Sequence, residues 1–414
     1  MRTQQYIELE ERYGAHNYHP LDIVITRGEG VWLTDIEGRR YLDCLASYSA
    51  VNQGHCHPKI LQAFTEQARK LTLTSRAFRN DQLPLLYKDL HDLTGYDMTL
   101  PMNSGGEAVE TAIKAVRKWG YTIKGIPENK AEIICAEGNF HGRTTTIISF
   151  STDEQYRFGF GPYTPGFPIV RYGDIEDLRS KINRNTAAFL VEPIQGEAGI
   201  IVPPEGYLHE AARLCKENNV LFVADEIQSG LGRSGKLFAF EYEHIRPDVV
   251  IIGKALGGGF YPISAVLSDR DVLGVFQPGD HGSTFGGNPL AAATARAALR
   301  VIVEENLVQR SSELGSYFME KLRTIRSSHL KQVRGRGLWI GLVLDEPARP
   351  YCEALKNRGM LCKETHECVI RIAPPLVITK DEIDWAFEQI KSVLTSITTN
   401  TGNVAAEKEL VWQN

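Results

Sequence analysis

The chain has 414 residues, 43% of them hydrophobic and 23% charged, the balance of a folded protein long enough to bury a large core. Its 46 basic and 51 acidic side chains leave a net charge of -5, which gives no reason to expect nucleic acid or an anionic membrane as a partner. No apolar stretch approaches the roughly 20 residues needed to span a bilayer, and seven scattered cysteines without a CxxC pair argue against a disulfide scaffold or a zinc site.

The segment through Pro20 is polar and aromatic, and reads as an arm rather than a core element. Its start, Met1-Arg2-Thr3-Gln4-Gln5-Tyr6, has neither the apolar centre of a secretory signal nor the Arg/Ser-rich character of a transit peptide, so the expected location is the cytoplasm. Residues 23–41 are short strand-like runs broken by Gly28, Gly30 and Gly38, which predicts a small antiparallel piece. His55-Cys56-His57 offers metal-ligand types, but neighbouring side chains point apart and no second ligand set is near, so no metal is expected.

From about residue 58 to Lys254 strands alternate with helices. The runs at 132–136, 187–191, 221–224 and 249–252 lack polar alternation, as strands covered on both faces do. The stretch 210–217 turns Arg213, Lys216 and Glu217 outward, as a crossover helix does, and the whole predicts a parallel sheet. After Asn288-Pro289 a long helical stretch leads to a second α/β piece, with strands near 338–344 and 369–372. Its last helix starts at Thr379, where Thr379 and Glu382 have capping-box spacing. The tail from Thr398 is polar and is expected to be loosely ordered. The chain contains no internal repeat.

Lys254 stands at the end of Val249-Val250-Ile251-Ile252-Gly253 and just before Ala255-Leu256-Gly257-Gly258-Gly259. Lysine is rarely buried unpaired, and a desolvated amine is a ready Schiff-base former. One strand earlier, Leu221-Phe222-Val223-Ala224 ends in Asp225-Glu226. In such folds the C-terminal ends of neighbouring strands converge where ligands bind. Asp225 has two readings: an acid that keeps a pyridine nitrogen protonated, or a helix N-cap. Asn103-Ser104-Gly105-Gly106-Glu107-Ala108 precedes a helix whose apolar face is Ala108, Ala112, Ala115 and Trp119, and offers a hydroxyl and bare amides to an anion. Ser283-Thr284 adds further hydroxyl donors.

Cradle, Asp225, Lys254 and the Ser283-Thr284 loop together resemble the class III aminotransferases, enzymes of fold-type I that use pyridoxal 5'-phosphate. The most specific strings are Val223-Ala224-Asp225-Glu226-Ile227-Gln228-Ser229-Gly230-Leu231-Gly232-Arg233 and Gly253-Lys254-Ala255-Leu256. The resemblance implies an α/β fold, with a large domain built on a mostly parallel seven-stranded sheet flanked by helices. A smaller α/β domain would come from the N- and C-terminal segments. The implied division is 1–48 as arm and antiparallel segment, 49–308 as the cofactor-binding domain, and 309–414 as the C-terminal domain. It also implies that Lys254 bonds to the cofactor, Asp225 holds its ring nitrogen, Gln228 its phenolic oxygen, and Phe140 stacks on the ring. Ser104, Gly105, Gly106 and Ser283, with the partner subunit's Thr284, would bind phosphate, which implies a homodimer.

Tyr13-Gly14-Ala15-His16-Asn17-Tyr18-His19-Pro20, Ser47-Tyr48-Ser49-Ala50-Val51-Asn52 and Val191-Glu192-Pro193-Ile194-Gln195-Gly196-Glu197-Ala198-Gly199 are similar to the branch of that family that uses ornithine. This likeness implies that Tyr18 and Arg143 hold the α-amino and α-carboxylate groups and that Tyr48 shapes the pocket. Glu197 would pair with Arg371 while ornithine reacts, then yield it to a keto acid. The implied reaction is ping-pong transfer of the δ-amino group of L-ornithine to 2-oxoglutarate, with Lys254 as proton shuttle. The alternative is another class III enzyme, of acetylornithine or 4-aminobutyrate type. His141 departs from the pattern, since several ornithine enzymes have tryptophan there.

Overall fold

A computed structural model describes residues 2–396; the polar tail expected from Thr398 lies outside them. The first helix, Thr3–Tyr13, buries none of its side chains, so the opening segment stands off the core as an arm, although its helical form had no clear signal. Strands Ile25–Glu29, Trp32–Asp35 and Arg40–Asp43 form the expected antiparallel piece. Its outer neighbour comes from far along the chain: Met360–Leu361 pairs in parallel with Arg40–Asp43.

The central sheet has seven strands, in the spatial order Met98–Met102, Ser264–Ser268, Val249–Ile252, Leu221–Asp225, Thr186–Val191, Glu132–Ala136 and Ile169–Val170. Only Ser264–Ser268 runs against its neighbours; the rest pair in parallel. The reason lies in the residues. Thr186–Val191, Leu221–Asp225 and Val249–Ile252 are buried at every position, and a sheet wet on one face could not hold such runs. Helix Gly105–Trp119 covers one face with Ala108, Ala112, Ala115, Val116 and Trp119, the stripe that i, i+4 and i+7 spacing dictates. The crossover expected at 210–217 begins earlier, as Tyr207–Glu217.

Asn288 accepts from the amide of Ala291 at 2.8 Å and starts the helix Pro289–Glu304, followed by Leu307–Arg323. A second, wholly antiparallel sheet follows, in the order Leu330–Arg336, Trp339–Leu344, Val369–Ile372 and Lys363–Thr365. The last helix, Lys380–Ser396, is capped as its spacing dictates: the Glu382 amide donates to Thr379 Oγ1 at 3.3 Å, and Glu382 Oε2 accepts from the Thr379 amide at 2.8 Å. Arg233 welds the two sheets together. Fully buried, it donates to the carbonyls of Leu338 and Pro374 at 2.8 and 2.7 Å and to Asn52 Oδ1 at 2.5 Å.

Candidate active site

Asp225 ends its strand opposite Ile251, and Lys254 follows three residues after Ile251, so amine and acid leave the sheet side by side at the same edge. Lys254 takes a left-handed conformation at φ 44°, which turns the chain sharply out of the strand into a 3-10 turn. Burial pulls its amine down from 10.5 to about 8, against the opposing fields of Glu197 and Asp225. Asp225 is buried; its Oδ1 accepts from the Ile227 amide at 3.1 Å and its Oδ2 lies 2.7 Å from His141 Nδ1. Burial alone would lower the His141 ring, but the Asp225 hydrogen bond and charge outweigh it and raise its pKa. His141, the residue that departs from the ornithine pattern, therefore orients the acid.

The anion cradle forms at the start of Gly105–Trp119. Ser104 Oγ accepts from the Glu107 amide at 3.2 Å, and Glu107 Oε2 accepts from the Ser104 amide at 2.8 Å. This reciprocal cap was readable as Ser-x-x-Glu. It satisfies part of the helix end, while the amides of Gly105 and Gly106 keep no intrahelical acceptor. A methyl at Gly106 would come within 3.4 Å of Thr144 Cγ2, and one at Gly142, where φ is 128°, within 3.3 Å of Gly106 Cα. Glycine is needed at 142, where positive φ and a close approach coincide, because the 140–144 loop lies directly on the cradle; at 106 the added contact would be an ordinary one. Ser283 Oγ accepts from Asn103 Nδ2 at 2.8 Å, which ties the second hydroxyl loop to the first, and Thr284 next to it is exposed.

Glu197 and Arg371 meet at 2.9 Å. Arg371, 1% exposed, also donates to the Gly196 carbonyl at 3.3 Å and to Thr365 Oγ1 at 3.2 Å, and its guanidinium lies over the Tyr48 ring at 5.2 Å. Burial alone would raise the Glu197 carboxyl, but Arg371 and Lys254 overcome it and hold it low. Gln228 Nε2 donates to Glu197 Oε1 at 3.2 Å. Tyr18 is 70% exposed, close enough to Tyr48 for its phenol to bear on the Tyr48 hydroxyl. Arg143 is exposed at the mouth, stacked over Tyr156 at 4.4 Å and Phe140 at 5.8 Å.

Of the residues singled out in the sequence, Lys254 and Asp225 leave the sheet at one edge, Gln228, Glu197 and Arg371 are linked to one another, and Ser283 is tied to the cradle loop through Asn103, while Tyr18 and Thr284 are exposed. Two others had not been foreseen. Tyr156 stands under Arg143 on the short helix Glu154–Arg157, with no signal in the sequence beyond the Asp153 cap. Glu192 is buried, and its two oxygens accept from the amides of Phe140 at 2.8 Å and Gly196 at 3.2 Å. As Asp225 ends a wholly buried strand, Glu192 directly follows one, and that was its signal.

A lowered amine, an acid at the next strand end and an amide cradle for an anion fit pyridoxal 5'-phosphate: aldehyde, ring nitrogen and phosphate each have a matching group. Residues 13–394 match the family described as aminotransferase class-III. The chain belongs to that family. It is 63% identical over 396 residues to an ornithine aminotransferase of Geobacillus sp. (strain WCH70), covering 96% of this chain and 100% of that one. It superposes with a TM-score of 0.94, at 42% identity and over 95% and 94% of the two chains, on an ornithine aminotransferase of Toxoplasma gondii whose active site is partly occupied by PLP. An acetylornithine aminotransferase of Elizabethkingia anophelis gives a TM-score of 0.87 at 48% identity, over 95% and 99% of the chains.

Proposed function

We propose that this chain transfers the δ-amino group of L-ornithine to 2-oxoglutarate, yielding L-glutamate 5-semialdehyde and L-glutamate in two half-reactions. Pyridoxal 5'-phosphate, when bound, supplies an electron-withdrawing ring that carries the amino group from one substrate to the other. The protein does the rest. Lys254 Nζ would hold the cofactor's aldehyde and, once displaced by a substrate amine, would serve as the base that moves the proton at the substrate carbon. With the cofactor bound, Asp225, oriented by His141, would keep its ring nitrogen protonated, Gln228 would bind its phenolic oxygen and Phe140 would stack on its ring. Ser104, Gly105, Gly106 and Ser283 take the phosphate, joined by Thr284 of a second copy, so the working unit is a homodimer.

The observation that carries the substrate reading is the half-satisfied Arg371. Two substrates must use one pocket: ornithine presents a bare methylene amine, and 2-oxoglutarate a carboxylate beside its reacting carbon. While Glu197 covers Arg371 the pocket receives the amine. When Glu197 withdraws, the guanidinium fork is free for the carboxylate. At the mouth, Tyr18 and Arg143 receive the α-amino and α-carboxylate groups of ornithine. An acylated or absent α-amino group needs no such partner, and curated relatives at 58–64% identity are named for ornithine, so the acetylornithine and 4-aminobutyrate readings are not favoured.

We take 49–308 as the cofactor-binding domain, between the arm with its antiparallel segment (1–48) and the C-terminal domain (309–414); the pairing of Met360–Leu361 with Arg40–Asp43 supports a small unit shared by the two chain ends. A cytoplasmic location is part of the reading: all seven cysteines are free, as expected of a reducing compartment. The test is single-turnover spectroscopy of the holoenzyme with ornithine, acetylornithine and 4-aminobutyrate. Ornithine should bleach the visible cofactor band fastest, and a faster reaction with either of the others would overturn the assignment.

A further inference from the structure

Ala46, Ser47, Tyr48 and Ser49 are consecutive, none is glycine, and all are left-handed, with φ of 46°, 46°, 59° and 76°. Residues with a Cβ visit this region singly and at a cost, so a run of four persists only where its surroundings impose it. Such strain gathers at functional sites. Here the run holds Tyr48, whose ring faces the Arg371 guanidinium and whose carbonyl accepts from Gln228 Nε2 at 3.5 Å.

What imposes the turn is at its entrance. Asp43 ends its strand 3% exposed, and its Oδ1 accepts from the amides of Leu45 and Ala46 at 2.8 and 2.9 Å. These two bonds bend the chain back on itself just where the left-handed run begins. The other oxygen, Oδ2, lies 2.7 Å from His55 Nε2. His55 is itself pinned: it exchanges both backbone hydrogen bonds with Gly30, at 2.7 and 3.0 Å, and packs on Gly28, where an added methyl would come within 2.9 Å of its Cβ. The Cys44 carbonyl also accepts from the Ala373 amide at 2.7 Å, so the strand that ends in Asp43 and the strand that holds Arg371 share one frame.

We infer that Asp43, oriented by His55, is a positioning residue that clamps the left-handed turn 46–49 and thereby sets Tyr48 against Arg371 for substrate choice. Neither Asp43 nor His55 touches substrate. They act through the turn: its handedness decides whether the Tyr48 ring walls the pocket or swings away, and with it how closely an amine bearing an α-amino group is distinguished from one without. The inference rests on the ornithine reading for the identity of the substrates, but the clamp itself does not.

The test compares the holoenzyme with Asp43→Ala, Asp43→Asn and the double variant Asp43→Ala/Ser47→Gly, reading kcat/KM in the amine half-reaction for ornithine and for 5-aminopentanoate, which lacks only the α-amino group. Asp43→Ala should lose about ten- to a hundredfold of the preference for ornithine, while still forming the visible cofactor band. Asp43→Asn keeps an oxygen for the two amides and should lose less. Ser47 is exposed, and glycine there removes a steric penalty of the left-handed turn, so the double variant should recover part of the preference. A role for the Asp43 charge alone predicts no such rescue, and its absence would overturn the clamp. A crystal structure of Asp43→Ala decides independently of substrate: Tyr48 displaced from Arg371 supports the clamp, and an intact turn refutes it. A wild-type enzyme indifferent to the α-amino group would sink the ornithine reading, with that structure still deciding the clamp.

Discussion

Glu197, half-buried, and the buried Arg371 form an ion pair at 2.9 Å in which two guanidinium nitrogens, Nε and Nη1, have no hydrogen-bond partner among the described residues. A buried donor left unpaired costs about 1–3 kcal/mol and more when charged, so these two nitrogens are open to a further acceptor. On the proposed reading, a substrate carboxylate completes the pair. Glu197→Ala should therefore leave Arg371 permanently available. The ornithine half-reaction should slow by about ten- to a hundredfold, and the glutamate half-reaction far less. Rapid-mixing absorbance of each half-reaction measures the ratio, and the opposite order would reject the exchange of partners.

The Lys254 amine, lowered to about 8 by burial, is neutral above that pH, whereas an ordinary lysine stays charged to 10.5. Only the neutral amine attacks an aldehyde. The rate at which cofactor-free protein takes up pyridoxal 5'-phosphate should thus rise with pH and level off above about 8. A rate still climbing toward 10.5 would contradict the desolvated amine. Lys254→Ala should lose both the visible band and turnover.

Gly196 lies beneath the Gln228 carboxamide. A methyl there would run into the amide, with its carbon at 2.7 Å, and come within 2.9 Å of Trp339 Cζ2. Gly196→Ala should cost about 1–3 kcal/mol of stability through overpacking. Because Gln228 also holds Glu197, both half-reactions should slow and the cofactor band should shift, which spectral titration records. Lost stability with an unchanged spectrum would show that Gln228 does not meet the cofactor.

The central sheet was legible because burial on both faces writes itself as unbroken apolar runs, and Asp225 and Lys254 stood out as charges at the ends of those runs. The cradle was legible as two glycines before an apolar helical stripe. Tyr156 was not, since a half-buried tyrosine on a one-turn helix leaves no period to read. The left-handed turn at Tyr48 was equally hidden: Ala-Ser-Tyr-Ser contains no glycine to announce positive φ, and the force that imposes it comes from Asp43 and, across the strands, His55. The pairing of Met360–Leu361 with Arg40–Asp43 joins residues more than three hundred positions apart, and no local pattern encodes such a partner.

Tyr18 stands exposed near Tyr48, and the chain after it is held as Arg349 donates to the carbonyls of His19 and Pro20 at 3.3 and 3.0 Å. On the proposed reading this exposed phenol receives the α-amino group of ornithine. Tyr18→Phe should raise KM for ornithine by about tenfold, the worth of one hydrogen bond to a charged group, and leave 5-aminopentanoate nearly unaffected. Equal losses on both amines would remove the residue from that role.

Glu192 ties the loop of Phe140 to the loop of Glu197 while burial pushes its carboxyl up from 4.5 to about 7. The folded state therefore binds this proton more tightly than the unfolded chain does. The stabilisation it provides is full below about 4.5 and is lost as pH rises through about 7. A shift of this size is worth roughly 3 kcal/mol. Glu226, buried and raised to about 7 for the same reason, adds a parallel slope, but it is common to wild type and variant and cancels in their difference. Glutamine mimics the protonated acid without titrating. Thermal unfolding of the Glu192→Gln holoenzyme should accordingly be lower overall, since one of the two amides loses its acceptor, yet should fall less steeply with pH than wild type across that interval. Parallel curves for the two proteins would mean that Glu192 is ionised throughout and that its two hydrogen bonds are charge-assisted.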